Sequence, residues 1–386
     1  MPAASSSPVP VLTDGVVRLR AHTPDDVEAI VEQALDAESQ RWTAVPRDYT
    51  RADGVRFVDR LADQWRSATG TRGWAIETMG DDGPRFAGTI ELRFCEPGDT
   101  ASLGFGLHPM ARRTGVMSRA VRLAAAHAFG TGPWGRPLSR LHWRAVVGNW
   151  ASRRVAWATG FTFHGTIPGS HVDPGDPTAP ALGTWNASLA RDEPMRPRAP
   201  WLEPPVLEED AIRLRPWRDA DLDAVEDRTD PAHWMPPRSV LGREMFSEWL
   251  LARRELMAEG RSVEWCVADA ASDRALGSAV IFRRDGPVIG DVAELGYQLF
   301  PSARGRGAAR TAARLAVRHA LAPRTRGGLG LRRLVAETAA DNVASNRVLE
   351  RNGFVVYGRE HAVDLLADGT YADGLHWELL PRAGPG

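Results

Sequence analysis

The chain repeats itself once, and the repeat limits its folds more than any other feature. The stretch LHPMARRTG, from Leu107 to Gly115, parallels LFPSARGRG, from Leu299 to Gly307, 192 residues later. Asn149 and Ser152 parallel Asn342 and Ser345, and Gly160-Phe161 parallels Gly353-Phe354, each 193 residues later. Upstream, GVVRLR at 15–20 resembles AIRLR at 211–215, Trp42 and Pro46 resemble Trp234 and Pro236, and Trp74 to Glu77 resembles Trp265 to Ala268. An offset this constant over about 150 residues implies two copies of one domain of roughly 185 residues, an ordinary domain size. The copies are expected at 9–191 and 206–382. Residues 192–205 carry five prolines and read as a semi-rigid linker.

Each copy reads as a strand, an Asp-rich helix start, several strands, a helix, a strand, a second helix and a final pair of strands. That order predicts an α+β fold, a mixed and mostly antiparallel sheet flanked by helices. With 43% hydrophobic and 25% charged residues, both copies can bury a core. The net charge of −1 gives no global field for nucleic acid, although all 48 basic residues are Arg. Cys95 and Cys266 lie far apart without metal-ligand spacing. His171, Asp173 and Asp176 fall in a stretch, 170–180, that reads as a solvated hairpin tip, and no metal is expected. The first ten residues lack the basic start and apolar core of a signal peptide, and no run of 18 apolar residues occurs. A cytoplasmic protein is therefore expected; the oligomeric state is open.

The chemistry concentrates between Asp291 and Arg310, DVAELGYQLFPSARGRGAAR. Val292, Leu295, Tyr297 and Leu299 predict a strand, which Pro301 and Ser302 stop. RGRGAA, from Arg304 to Ala309, then opens a helix through His319. Glycines let the backbone approach a ligand, and the helix start offers unpaired N–H groups and a positive dipole end. Arg304 and Arg306 add charge of the sign a diphosphate needs. The stretch is neither a Walker loop, which needs GxxxxGK followed by Ser or Thr, nor a Rossmann fingerprint, because Arg310 takes the third glycine position. A second stretch, NVASNRVLERNGF from Asn342 to Phe354, reads as a capped amphipathic helix ended by Gly353.

In order and spacing the two motifs resemble those of the GNAT acetyltransferases. The first matches R/Q-x-x-G-x-G/A; the second matches N-x-x-S-x-x-V-L-E-x-x-G-F of the branch that acetylates N-terminal residues of ribosomal proteins. The resemblance implies tandem GNAT domains and acetyl-CoA as cosubstrate. It implies a cofactor site of backbone at Leu299 and Phe300, the loop Arg304, Gly305, Arg306, Gly307, Ala308 and Ala309, and Asn342. It places Glu294 as first choice of base, Glu337 as second, and Ser345 as acid or hydrogen-bond donor to the leaving thiolate. The Tyr that many relatives carry seven residues after the Asn is Leu349 here. Trp234, Met235 and Pro236 are expected to line the acceptor pocket.

The copies differ where this matters. Ala309 corresponds to Met117, Glu294 to Ser102 and Glu337 to Arg144. The second copy is thus expected to carry the chemistry and the first to be degenerate. An α-amine, with a pKa of about 7.7–8.0 against about 10.4 for lysine, is partly neutral at pH 7, so a carboxylate acting through water suffices for it. The expected acceptor is the α-amine of a peptide or protein. An amine-bearing metabolite or antibiotic is the alternative, which a pocket dense in acidic side chains would favour. A CoA-binding regulatory module without turnover is the third reading.

Overall fold

Alternating apolar residues build two eight-stranded sheets, one in each half of the chain. The structure, a computed structural model, describes residues 9–381 except 81–82, 96–98, 173–177, 228, 235–240, 284–285, 287 and 289–290. Met235, Pro236, Asp173 and Asp176 therefore lie outside the described residues. Two compact units divide between Arg198 and Ala199.

In the first unit β1 (Leu12–Thr13) and β2 (Val17–Arg20) precede α1 (Val27–Leu35), α2 (Ala37–Trp42) and α3 (Arg51–Arg66). Next come β3 (Arg72–Gly80), β4 (Gly83–Cys95), β5 (Thr100–Leu107), α4 (Val116–Phe129), β6 (Arg140–Val146), α5 (Trp150–Ala158), β7 (Thr162–His171) and β8 (Leu182–Ala190). The second unit holds β9 (Leu207–Glu209), β10 (Ile212–Arg215), α6 (Phe246–Ala258), β11 (Ser262–Asp269), β12 (Ala275–Phe282) and β13 (Val292–Leu299). It continues with α7 (Ala308–Leu321), β14 (Arg333–Ala339), α8 (Val343–Arg351), β15 (Val355–Leu365) and β16 (Tyr371–Leu379).

Strand order is β1-β2-β3-β4-β5-β6-β8-β7 in one sheet and β9-β10-β11-β12-β13-β14-β16-β15 in the other, the same path twice. Among the described residues only β5–β6 and β13–β14 pair parallel, and every other pair is antiparallel. The α+β architecture of two tandem mixed sheets is as the sequence predicts.

The repeat extends to single hydrogen bonds. Trp74 and Trp265 are fully buried. Each indole N–H donates to a carbonyl at the start of its own unit, Pro10 at 3.0 Å and Pro205 at 2.9 Å. Arg20 grips Asp26 with two N–H···O bonds of 2.8 Å, and Arg215 grips Asp221 at 2.9 and 2.7 Å. Helix α7 buries Ala308, Ala312, Ala316 and Ala320, one every four residues, which seats it close on the sheet. Its Arg310, Arg314 and Arg318 turn away from that seam. In α4, Val116, Ala120, Ala124 and Ala128 repeat the seam.

One expectation changes in detail. The Asp-rich start at Asp219 forms a 3-10 turn, Asp219–Ala224, and not the counterpart of α1. The carboxylates that follow it, Glu226 and Asp230, reach instead to Ser302 and Arg304. The proline-rich stretch is strapped down at both ends. Met195 accepts from Arg122 within the first unit, and Leu202 donates to Met257 O at 3.0 Å within the second.

Candidate active site

Strands β13 and β14 pair only over Val292–Glu294 and Arg333–Val335, then part. From Leu295 to Leu299 the β14-facing edge of β13 has no strand partner among the described residues, so a V opens just past Glu294. Gly277 sets the other side of β13. At φ +153° it brings β12 so near that a Cβ would lie 2.1 Å from Gln298 O.

The loop after β13 rises on Phe300, whose N–H donates to Leu276 O, and on a 3-10 turn, Pro301–Ala303. Gly305 and Gly307 then sit in the left-handed region, at φ +78° and +79°. A Cβ at either would meet nothing within 4 Å, so glycine is favoured there by backbone conformation alone. Arg304 N–H bonds Pro301 O and Thr311 N–H bonds Gly307 O. Between them the amides of Gly305 to Arg310, those of Ala308 and Ala309 included, find no partner among the described residues. A run of unpaired amides at the start of a 14-residue helix is a cradle for a diphosphate. The Arg304 side chain faces elsewhere: it forms a bidentate pair with Asp230 at 2.8 and 2.6 Å and donates to Leu299 O at 2.9 Å. Arg306 is exposed.

Across the V, Asn342 caps α8, its Oδ1 accepting from Ser345 N–H at 3.1 Å. Thr338 donates to Asn346 Oδ1 at 2.7 Å and accepts from the Trp377 indole at 2.8 Å, which fastens α8 to β14. Leu349 is fully buried, so the position where many relatives carry Tyr is core here. A different tyrosine supplies a hydroxyl. Tyr297 OH lies 2.8 Å from Ser345 Oγ and donates to Ser345 O at 3.1 Å. Burial pushes this phenol up to about 12. Sequence reasoning used Tyr297 only as a strand former; no spacing rule links residues 48 positions apart in β13 and α8.

Glu294 and Tyr297 are three residues apart on one strand and face opposite sides of the sheet. Tyr297 packs with the core under α7 and α8. Glu294 shares its face with Glu337 of β14. Glu337 Oε1 is 3.8 Å from His376 Nδ1, and His376 Nε2 is 3.3 Å from Glu360. Trp234 reaches this side from a 3-10 turn, Ala232–Trp234, its indole donating to Asp341 Oδ1 at 3.1 Å beside Asn342. His233 is 2.9 Å from the same carboxylate. Asp364 is raised by burial, with Asp341, Glu360 and Glu337 adding to the rise and His233 opposing it. Carboxylates thus crowd the Glu294–Glu337 side of the V. Cys266 is buried in β11 and its thiol is pushed far up by burial, which leaves no thiolate for nucleophilic work.

A family description of the acetyltransferase (GNAT) domain matches residues 17–162 and again 211–355. The chain belongs to the GNAT acetyltransferase family, in tandem form, and is an N-acetyltransferase. Solved structures similar to half of it include a GNAT-family acetyltransferase from Bacillus anthracis, at 18% identity and a TM-score of 0.38 over 46% of this chain and 98% of that one. They include RimL, a ribosomal L7/L12 alpha-N-protein acetyltransferase in complex with coenzyme A, at 17% and 0.40 over 47% and 98%. A ribosomal-protein-S5-alanine acetyltransferase from Vibrio fischeri stands at 19% and 0.39 over 47% and 100%. No curated protein matches.

In this tandem GNAT chain both copies keep the loop shape. Arg113 holds φ +64° where Gly305 holds +78°, and Gly115 matches Gly307. The walls differ. In the first copy strand pairing runs one residue further, to Leu103 and Trp143. Trp143 stands where the second copy has Ala336, and its indole donates to Ser152 Oγ at 3.1 Å. Phe105 takes the place of Tyr297. The first V is therefore shorter and walled by an indole.

Proposed function

We propose that the second unit carries the acetyl transfer, with acetyl-CoA as donor and a primary amine as acceptor. The observation that carries this reading is the parting of β13 and β14 beside the unpaired amides of Gly305–Arg310. The edge of β13 without a strand partner, whose Leu299 carbonyl is held by Arg304, and the Asn342 side chain suit the amide-bearing arm of the cosubstrate, and the loop suits its diphosphate. When bound, acetyl-CoA supplies the acetyl group as a thioester. Glu294 takes the proton from the attacking amine, directly or through a water. Ser345 presents a hydrogen-bond donor on the opposite side of the V, and Glu337 with Trp234 orients the acceptor.

The acceptor we favour is the α-amine of a peptide or protein, because the Asn342–Ser345 motif lacks the relatives' tyrosine and an α-amine needs only a modest base. A cationic small amine is the second reading, supported by the carboxylates Asp341, Glu337, Glu360 and Asp364. Mass spectrometry of peptide and small-amine panels incubated with acetyl-CoA separates the two. Peptide α-amines are expected to gain 42 Da (roughly, one acetyl replacing one hydrogen); acetylation of small polyamines alone would defeat the peptide reading.

A further inference from the structure

Tyr297 and Ser345 share two contacts but only two hydroxyl protons. The Ser345 carbonyl can only accept, so the 3.1 Å contact takes the phenol proton. The 2.8 Å contact then takes the Ser345 proton, which rests on the phenol oxygen. A second arrangement has equal bond count. The Ser345 proton turns to a new acceptor in the V while the phenol donates to Ser345 Oγ. No covalent bond to hydrogen breaks in this exchange; two hydrogen bonds trade places.

We propose that Tyr297 is a positioning residue that stores the Ser345 hydroxyl proton and releases it as a hydrogen bond to the sulfur of the departing thiolate. This rests on the reading of the V as the acetyl-CoA site. The phenol, pushed up to about 12 by burial, stays protonated through the whole range in which a thiol ionises, near pH 8.5. It therefore supports a hydrogen bond and is no source of a transferred proton. The ring itself has a place in this fold without its hydroxyl, because Phe105 occupies the corresponding position of the first copy. Tyr297→Phe is thus expected to fold.

The test compares the affinity of coenzyme A with that of its desulfo analogue between pH 7 and pH 9.5, by calorimetry on the full chain. The wild type is expected to prefer coenzyme A increasingly as the thiol ionises, by about tenfold. Tyr297→Phe and Ser345→Ala are each expected to flatten that preference while binding desulfo-coenzyme A within twofold of wild type. In turnover, Tyr297→Phe should lower kcat about tenfold with little change in the KM for acetyl-CoA, and the double variant should be no slower than Ser345→Ala. A wild-type preference that Tyr297→Phe retains, or kcat losses that multiply in the double variant, would overturn the proposal for Tyr297 alone. Absence of a pH-dependent preference in the wild type would overturn it too. No binding of coenzyme A by the wild type would instead remove the cosubstrate reading beneath it.

Discussion

Two glutamates on the same face of the second sheet have different tasks. Glu264, in β11, is buried beneath α6 with the Ser278 hydroxyl on one oxygen and Arg253 3.8 Å from the other. Burial pushes its carboxyl up to about 7, against the pull of Arg253 and Ser278. Between the ordinary value of 4.5 and 7 the folded chain holds a proton that the unfolded chain has released. Stability therefore falls as pH rises through that window, and the whole penalty is present above it. Glu264→Gln is expected to raise the melting temperature at pH 8, by about 1–3 kcal/mol of stability, and to leave it near wild type at pH 4.5. An equal shift at both pH values would contradict this. Glu294 lies at the apex of the V, and Glu294→Gln is expected to lower kcat by about 10²–10⁴ with little effect on coenzyme A affinity. A loss of binding in place of turnover would make it a cofactor residue.

At the scale of elements, the loop between β13 and α7 is a conformation first and a composition second. Both copies hold it, one with Gly305 and one with Arg113 in the left-handed region. A non-glycine residue there costs about 1–2 kcal/mol, so Arg113→Gly is expected to stabilise the first unit by about 1 kcal/mol in denaturant unfolding, and a loss of stability would show that its side chain matters more than its φ. Trp377 faces Ala336 where the first copy pairs Trp143 with Ala187, so the paired change Ala336→Trp/Trp377→Ala imports the first copy's arrangement into the second V and is expected to cut coenzyme A affinity at least tenfold; unchanged affinity would mean the indole does not obstruct. Much of this element was legible. Glycines and a helix start leave their marks in consecutive residues, as do strand alternation and the small-residue seam of α7. The Tyr297–Ser345 contact was not legible, because it depends on how far β13 and β14 part. Nor was the side-chain grip of Arg304 on Asp230, which joins residues 74 apart. Glu264 left no sign either, since SVEWCVAD reads as an apolar strand whichever face its carboxylate takes.

For the whole molecule, duplication supplied two frames with the same strand order, and the walls of each V are among the places where the copies diverge. Ser102, Arg144, Phe105, Trp143 and Met117 replace Glu294, Glu337, Tyr297, Ala336 and Ala309. No helix among the described residues is long and apolar enough to cross a membrane. The central claim, that coenzyme A binds the second copy's loop, is tested most directly by calorimetric titration of the full chain and two matched variants, Gly307→Asp and Gly115→Asp. Both positions are left-handed and open, so each variant places one carboxylate at a helix start with similar backbone cost. One site per chain is expected, abolished by Gly307→Asp and kept by Gly115→Asp; binding that survives Gly307→Asp, or is lost with Gly115→Asp, would place coenzyme A elsewhere.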